Sequence, residues 1–201
     1  MNTAATQPTS GFENVKCFWD ANLGAHVAKI LPGQYYVSYG DQVIGTVLGS
    51  CVSACVRDKT APIGAMNHFL LPDSNDRPSS ADSPHRYGAY AMEHMLNDLY
   101  RRGVKKTNLE IKIVGGGAVM SPTSRIGERN IAFVREFLQQ EGFRITAADV
   151  GTSFARQVIY DVTSGRMRVK HIDSIESIRL QEAAYRVEVA AENQTSDIEL
   201  F

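Results

Sequence analysis

The sequence predicts one α/β domain, on three observations. The chain has 201 residues, 43% hydrophobic and 21% charged, enough to bury roughly 70% of the surface its unfolded form would expose. Short β-rich runs punctuated by Gly, Asp and Pro recur along it. Two longer stretches repeat apolar residues at the helical period.

In chain order, residues 1–17 are polar and aperiodic and read as a loose arm. Tyr35 to Tyr39, Val43 to Leu48, Cys51 to Arg57 and Ile63 to Leu71 read as strands. Pro72 to Arg86 holds three prolines and four serines and reads as a long loop, a form that compact domains keep mainly for function. From Tyr87 to Arg102, the residues Tyr87, Ala91, Met92, Met95, Leu96 and Leu99 form one helical stripe, with Gly103 as the stop. Leu109 to Val114 alternates as a strand and runs into Gly115-Gly116-Gly117. A second helix covers Glu128 to Glu141, with Ile131, Val134, Phe137 and Leu138 inward. Phe143 to Val150 is a further strand, and Arg156 to Thr163 with Arg166 to Ile172 a hairpin turning at Ser164-Gly165. The domain is placed at residues 18–186. Residues 187–201 carry Glu188, Glu192, Asp197 and Glu199 and no basic residue, as a solvated tail or a docking segment would.

Composition narrows the function. The net charge is −1, without the basic excess that phosphate neutralisation demands of a nucleic-acid binder. No run of about 18 apolar residues predicts a membrane span. No signal peptide is recognisable, so the expected compartment is the reducing cytoplasm, where Cys17, Cys51 and Cys55 stay thiols. Cys51 and Cys55 are about 13 Å apart along a strand, too far to share one metal ion or a disulfide. No metal and no cofactor are expected. The glycine run lacks the Lys-Ser/Thr of a phosphate loop and reads as a turn or a close backbone contact. Asp149 and Arg156 read as a structural ion pair.

The chemistry concentrates at Cys51 and His68. Cys51 follows Leu48-Gly49-Ser50 at the head of a strand, beside a turn whose N–H groups can face a substrate. His68 lies in an otherwise apolar run. A hairpin with the loop Asp58-Lys59-Thr60-Ala61 would pair Arg57 with Pro62 and set Cys51 directly opposite His68, with Cβ atoms about 5 Å apart. A slip of one residue would turn them to opposite faces. A thiol beside an imidazole is a nucleophile for acyl or amide carbonyls, and the ring can then protonate the leaving group. A third group usually orients the histidine. Thr46, Ser50, Ser53 and Asn67 are candidates, and spacing does not choose among them.

At Leu48-Gly49-Ser50-Cys51-Val52, with Gly64-Ala65-Met66-Asn67-His68 downstream, the chain resembles the CheD family of chemoreceptor glutamine deamidases. Pro32-Gly33-Gln34-Tyr35-Tyr36, Leu71-Pro72-Asp73, Lys112 to Ala118, Ile126 to Asn130 and Thr163 to Lys170 extend the likeness across Phe18 to Ile172. The resemblance implies a layered α/β fold with a mixed sheet packed by helices, similar to the catalytic domain of the cytotoxic necrotising factors. It implies a protein-glutamine glutaminase that converts glutamine side chains on chemotaxis receptors to glutamate, with Cys51 as nucleophile and His68 as its partner. Ser50 and Asn67 are carried as substrate-binding candidates. The family's third member is a threonine six residues before the cysteine, where this chain has Gly45. Thr46 would need a bulge at Gly45 to reach the same face. The implied partners are receptor cytoplasmic helices and a phosphatase of the CheC type. The competing reading is a receptor- or CheC-binding module with little or no turnover. A groove accepting a glutamine on an intact helix is expected, with the Pro72 to Arg86 loop either as its wall or as a plain surface loop.

Overall fold

The computed structural model describes residues 7–71, 83–119, 125–172, 180, 182–185 and 187. In chain order its strands are β1 (Lys16–Asp20), β2 (Ala25–Lys29), β3 (Tyr35–Ser38), β4 (Val43–Leu48), β5 (Val52–Asp58) and β6 (Gly64–Asn67). Helix α1 (Ser83–Arg101), β7 (Leu109–Gly115), α2 (Ile126–Gln140), β8 (Ile145–Val150), β9 (Ala155–Tyr160) and β10 (Met167–Ile172) follow.

The fold is the mixed α/β type, in its α+β form, but its strands divide between two sheets where one was expected. The first has the order β1-β2-β4-β9-β10 and the second β3-β6-β5-β7-β8. Each is mixed: β2 and β4 run parallel in one, β7 and β8 in the other. Helix α1 packs on β6 and β3, and α2 on β5. One continuous core joins all layers, with Ile44, Leu48, Val158 and Tyr160 from the first sheet, Ala54, Cys55 and Met66 from the second, and Met92, Met95, Val134 and Leu138 from the helices. Periodicity states which residues of a strand share a face. It does not state which sheet a strand joins.

The expected loose arm is docked from its seventh residue. Phe12 and Val15 are buried, the N–H of Thr9 donates to Tyr36 Oη (2.7 Å), and β1 starts at Lys16 and pairs with β2. That hairpin escapes a pattern reading because its strands are five residues each and mix Lys, Asp and His with apolar residues. Helix α1 begins at Ser83, inside the stretch expected as loop. The rest of that stretch, residues 72–82, lies outside the described residues, as do residues 188–201 of the acidic tail.

The β5–β6 hairpin has the expected loop length but not the expected register. Asp58 N–H donates to Ile63 O (2.9 Å), so the four loop residues are Lys59 to Pro62, one further along. Two causes are visible. Pro62 has no N–H to give a ladder. The Asp58 carboxylate accepts from Thr60 N–H and Thr60 Oγ1 (both 2.7 Å), folding the loop beyond Asp58. Arg57 therefore pairs with Gly64, Val56 with Ala65 and Cys55 with Met66. A bridge between Val52 and Phe69 carries the same register to the end of the hairpin.

Candidate active site

Moving the register by two residues preserves the faces. By this register Cys51 falls diagonal to His68 instead of directly opposite it, at a position of the same parity. Both are buried. That face looks across the interior toward the first sheet: Gly64, at the start of the same ladder, would drive a Cβ into the Val162 side chain just past β9.

From the first sheet Thr46 reaches His68. Thr46 Oγ1 lies 2.8 Å from His68 Nδ1 and 2.8 Å from Ile30 O, to which it donates. A hydroxyl has one proton. With that proton on the Ile30 carbonyl, the oxygen accepts from Nδ1–H, and the neutral ring carries its free lone pair on Nε2. Nε2 is buried and makes no hydrogen bond among the described residues. Burial holds the ring far below its ordinary value, at about 3, so it is neutral at physiological pH. A neutral ring offers Nε2 as a proton acceptor, not an imidazolium. No bulge is required: β4 pairs regularly with β9 from Ile44 to Leu48. Gly45 turns to the opposite face, where a Cβ would meet Ile159 and Val27 side chains at 3.0 Å.

The Gly49-Ser50-Cys51 segment is the crossover from β4 of the first sheet to β5 of the second. All three of its carbonyls are held from one side. Gly117 N–H donates to Gly49 O (2.8 Å) and Gly116 N–H to Cys51 O (2.7 Å). Asn130 Nδ2, on α2, donates to Ser50 O (2.8 Å). With these carbonyls anchored, the N–H groups of Gly49 and Cys51 are turned together onto one acceptor, the Glu182 side chain. Both donate to Glu182 Oε1, at 3.1 and 3.2 Å, while Ser50 Oγ donates to Oε2 at 2.5 Å. The glycine run is thus a close backbone contact. A Cβ on Gly115, whose φ is +112°, would collide with Cys51 O, and one on Gly117 would lie 2.5 Å from Phe154 O.

The other sequence candidates fall as follows. Asn67 is spent on the fold: its Oδ1 accepts from Ala54 N–H (2.8 Å) and its Nδ2 faces Met92 Sδ (3.2 Å), away from the Cys51 face. Ser53 is buried and its Oγ makes no hydrogen bond among the described residues. Ser50 lies at the site, aimed at Glu182. Asp149 and Arg156 form the expected ion pair, at 3.0 Å. Cys55 is buried, and burial pushes its thiol up, away from reactivity. Among the described residues no group of His, Cys, Asp and Glu could hold a metal ion, and no helix is long and apolar enough to cross a membrane.

Two further residues belong to the site. Asn130 joins the nucleophile loop to the segment after His68, since its Oδ1 also accepts from Leu71 N–H (3.0 Å). Its sequence signals are its place at the end of the Ile126 to Asn130 stretch and a polar residue at an inward position of an apolar helical stripe. Glu182 lies in a segment without a strong pattern.

Known proteins resemble this chain over much or all of its length. A family model described as CheD chemotactic sensory transduction matches residues 70–171. A protein of Hahella chejuensis named "Probable chemoreceptor glutamine deamidase CheD" is 41% identical over the whole of both chains. The chain belongs to the CheD family. A second CheD protein with the same name, from Herminiimonas arsenicoxydans, is 46% identical over 92% of this chain and 93% of its own. A third, from Methylobacillus flagellatus, is 43% identical over 92% and 94%. The crystal structure of Neisseria meningitidis protein NMB0706, of family-model DUF152, is similar at a TM-score of 0.40 and 11% identity, covering 66% of this chain and 64% of that one.

Proposed function

We propose that this CheD protein is an amidohydrolase, a protein-glutamine glutaminase that converts glutamine side chains of chemotaxis receptors to glutamate. Cys51 is the nucleophile, His68 the proton carrier and Thr46 the residue that orients it. The observation that carries the reading is the Thr46–His68 contact. With Nδ1–H committed to Thr46, Nε2 is left as a base on the face shared with Cys51.

The steps follow from that tautomer. Nε2 takes the proton of Cys51 Sγ as sulfur attacks the carboxamide carbon. The C–S bond forms and the carbonyl oxygen becomes an oxyanion, received by the N–H groups of Gly49 and Cys51. Nε2–H passes its proton to the amide nitrogen, the C–N bond breaks and ammonia leaves. Water then gives a proton to Nε2 and attacks the thioester carbon. The C–S bond breaks, sulfur recovers its proton, and a glutamate side chain is released.

A receptor helix is the substrate surface and a CheC-type phosphatase a candidate regulator, both acting in the cytoplasm, where free thiols persist. The relatives' names and the buried thiol–imidazole arrangement support this reading together. The test is incubation with a receptor cytoplasmic fragment and mass spectrometry of its peptides. The wild type is expected to add about 1 Da per reacting glutamine as NH2 gives way to OH. Cys51→Ala is expected to add none while retaining its circular dichroism spectrum. Full conversion by that variant would exclude the thiol route.

A further inference from the structure

The cradle that the mechanism needs is already filled by the protein itself. Glu182 is 1% exposed and sits on a helical segment, while Leu180 and Val187, flanking it, are 68% and 72% exposed. Three donors converge on its carboxylate: two backbone N–H groups on Oε1 and the Ser50 hydroxyl on Oε2. One of the two backbone donors is the N–H of Cys51 itself. Three residues on, Tyr185 lies on the same helical face. Its ring covers Gly33, where a Cβ would fall 2.5 Å from Tyr185 Cε2. Gly33 in turn donates to the carbonyl of His68 (2.8 Å). The segment thus touches both halves of the site.

The chemistry of the occupant is specific. A glutamate side chain is the product of glutamine deamidation, with the same length and one oxygen in place of the amide nitrogen. Its Oε1 lies where two N–H groups would receive a substrate's carbonyl oxygen. Its Oε2 lies where the departing nitrogen or the entering water oxygen would sit, against Ser50 Oγ. A carboxylate here also opposes the negative charge that must form on Cys51 Sγ.

We propose that Glu182 is a tethered product mimic, and that its segment must leave the cradle before a receptor glutamine can enter. This rests on the deamidase reading and adds its regulation: the resting enzyme is held off by its own Glu182 segment, and a productive receptor helix displaces it. The seat accepts a helix-borne side chain ending in a planar carboxylate or carboxamide. Ser50 and the Gly49 and Cys51 amides are its recognition elements.

The test uses the full chain as wild type, Glu182→Ala and Tyr185→Ala. Tyr185→Ala loosens the segment without touching the cradle. Native proteins are treated with iodoacetamide, and Cys51 and Cys17 alkylation are followed by peptide mass spectrometry, with thermal melts to establish folding. Cys51 alkylation is expected to rise at least about tenfold in Glu182→Ala and several-fold in Tyr185→Ala, because a three-bond occupant keeps the open state a minority. Cys17, on β1, is expected to react at an unchanged rate. Receptor deamidation is expected to rise in the same order. Wild-type Cys51 rates in both variants would overturn the proposal; if one variant fails to fold, the other decides. Faster alkylation with no deamidation by any variant would leave the occupied cradle standing and remove the deamidase reading. Deamidation by the wild type with unchanged alkylation in the variants would do the reverse.

Discussion

Thr46 and His68 stand on different sheets, yet Oγ1 and Nδ1 are 2.8 Å apart. The bond crosses the interior between the two sheets, and the Thr46 proton is already spent on Ile30 O. An arrangement of this kind sets a tautomer as well as an orientation. Thr46→Val keeps the shape and loses the acceptor. Its kcat/KM for receptor deamidation is expected to fall about 10–100-fold, the usual cost of losing a partner that orients a histidine. Thr46→Ser is expected to recover most of the rate. A Val variant with wild-type kinetics would remove Thr46 from the mechanism.

His68 makes stability depend on acid. Its folded value, about 3, lies below the ordinary 6.5 or so of an unfolded histidine. The unfolded chain therefore binds the extra proton first. The contribution of the neutral buried ring is fully present above about pH 6.5 and is lost as pH falls toward 3. Between pH 7 and 5.5 the loss is expected to be about 1 kcal/mol. Urea unfolding at both values measures it, and His68→Gln should show a correspondingly flatter profile. Equal slopes would mean that the ring is not held neutral.

Asn130 is the clasp between the Cys51 loop and the segment that follows His68. Asn130→Ala removes the amide that bonds both Ser50 O and Leu71 N–H. Stability is expected to fall by about 3 kcal/mol, from two lost buried hydrogen bonds and a small cavity. Deamidation should drop further than folding does when both are measured well below the melting temperature, because the cradle amides lose their aim. A variant that is less stable but equally active would make Asn130 a purely structural residue.

Gly115 tests the back of the loop. Gly115→Ala places a Cβ against Cys51 O at a φ of +112°. A cost of about 2 kcal/mol in stability is expected from backbone strain and contact. A fall in kcat follows if the crossover shifts. Chemical denaturation and the receptor assay read the two effects separately.

The fold class and the two residues proposed as the reactive pair were legible beforehand. Cys51 and His68 keep the same parity along the hairpin, which the two-residue difference in register preserves. The register itself was not legible, since it turned on Asp58 capturing Thr60 and on Pro62 lacking an N–H. Thr46 looked misplaced by one residue against the family spacing. That comparison assumes the orienting residue must keep one fixed distance along its strand from the cysteine. In the fold, β4 lies in the other sheet, and what matters is its position across the core. Phe12 and Val15 looked like part of an arm because isolated apolar residues among polar ones carry no period.

Residue order alone supplied the α/β class, the proposed thiol and imidazole, and the expectation that Gly115-Gly116-Gly117 serves a turn or a close backbone contact. These follow from alternation, helical period and residue chemistry, all local along the chain. Folding decided that the strands split into two sheets, that Thr46 meets His68 across them, and that Glu182, 131 positions beyond Cys51, fills the cradle beside it. Such contacts join residues remote along the chain whose meeting depends on how whole layers stack, and no local pattern encodes that stacking.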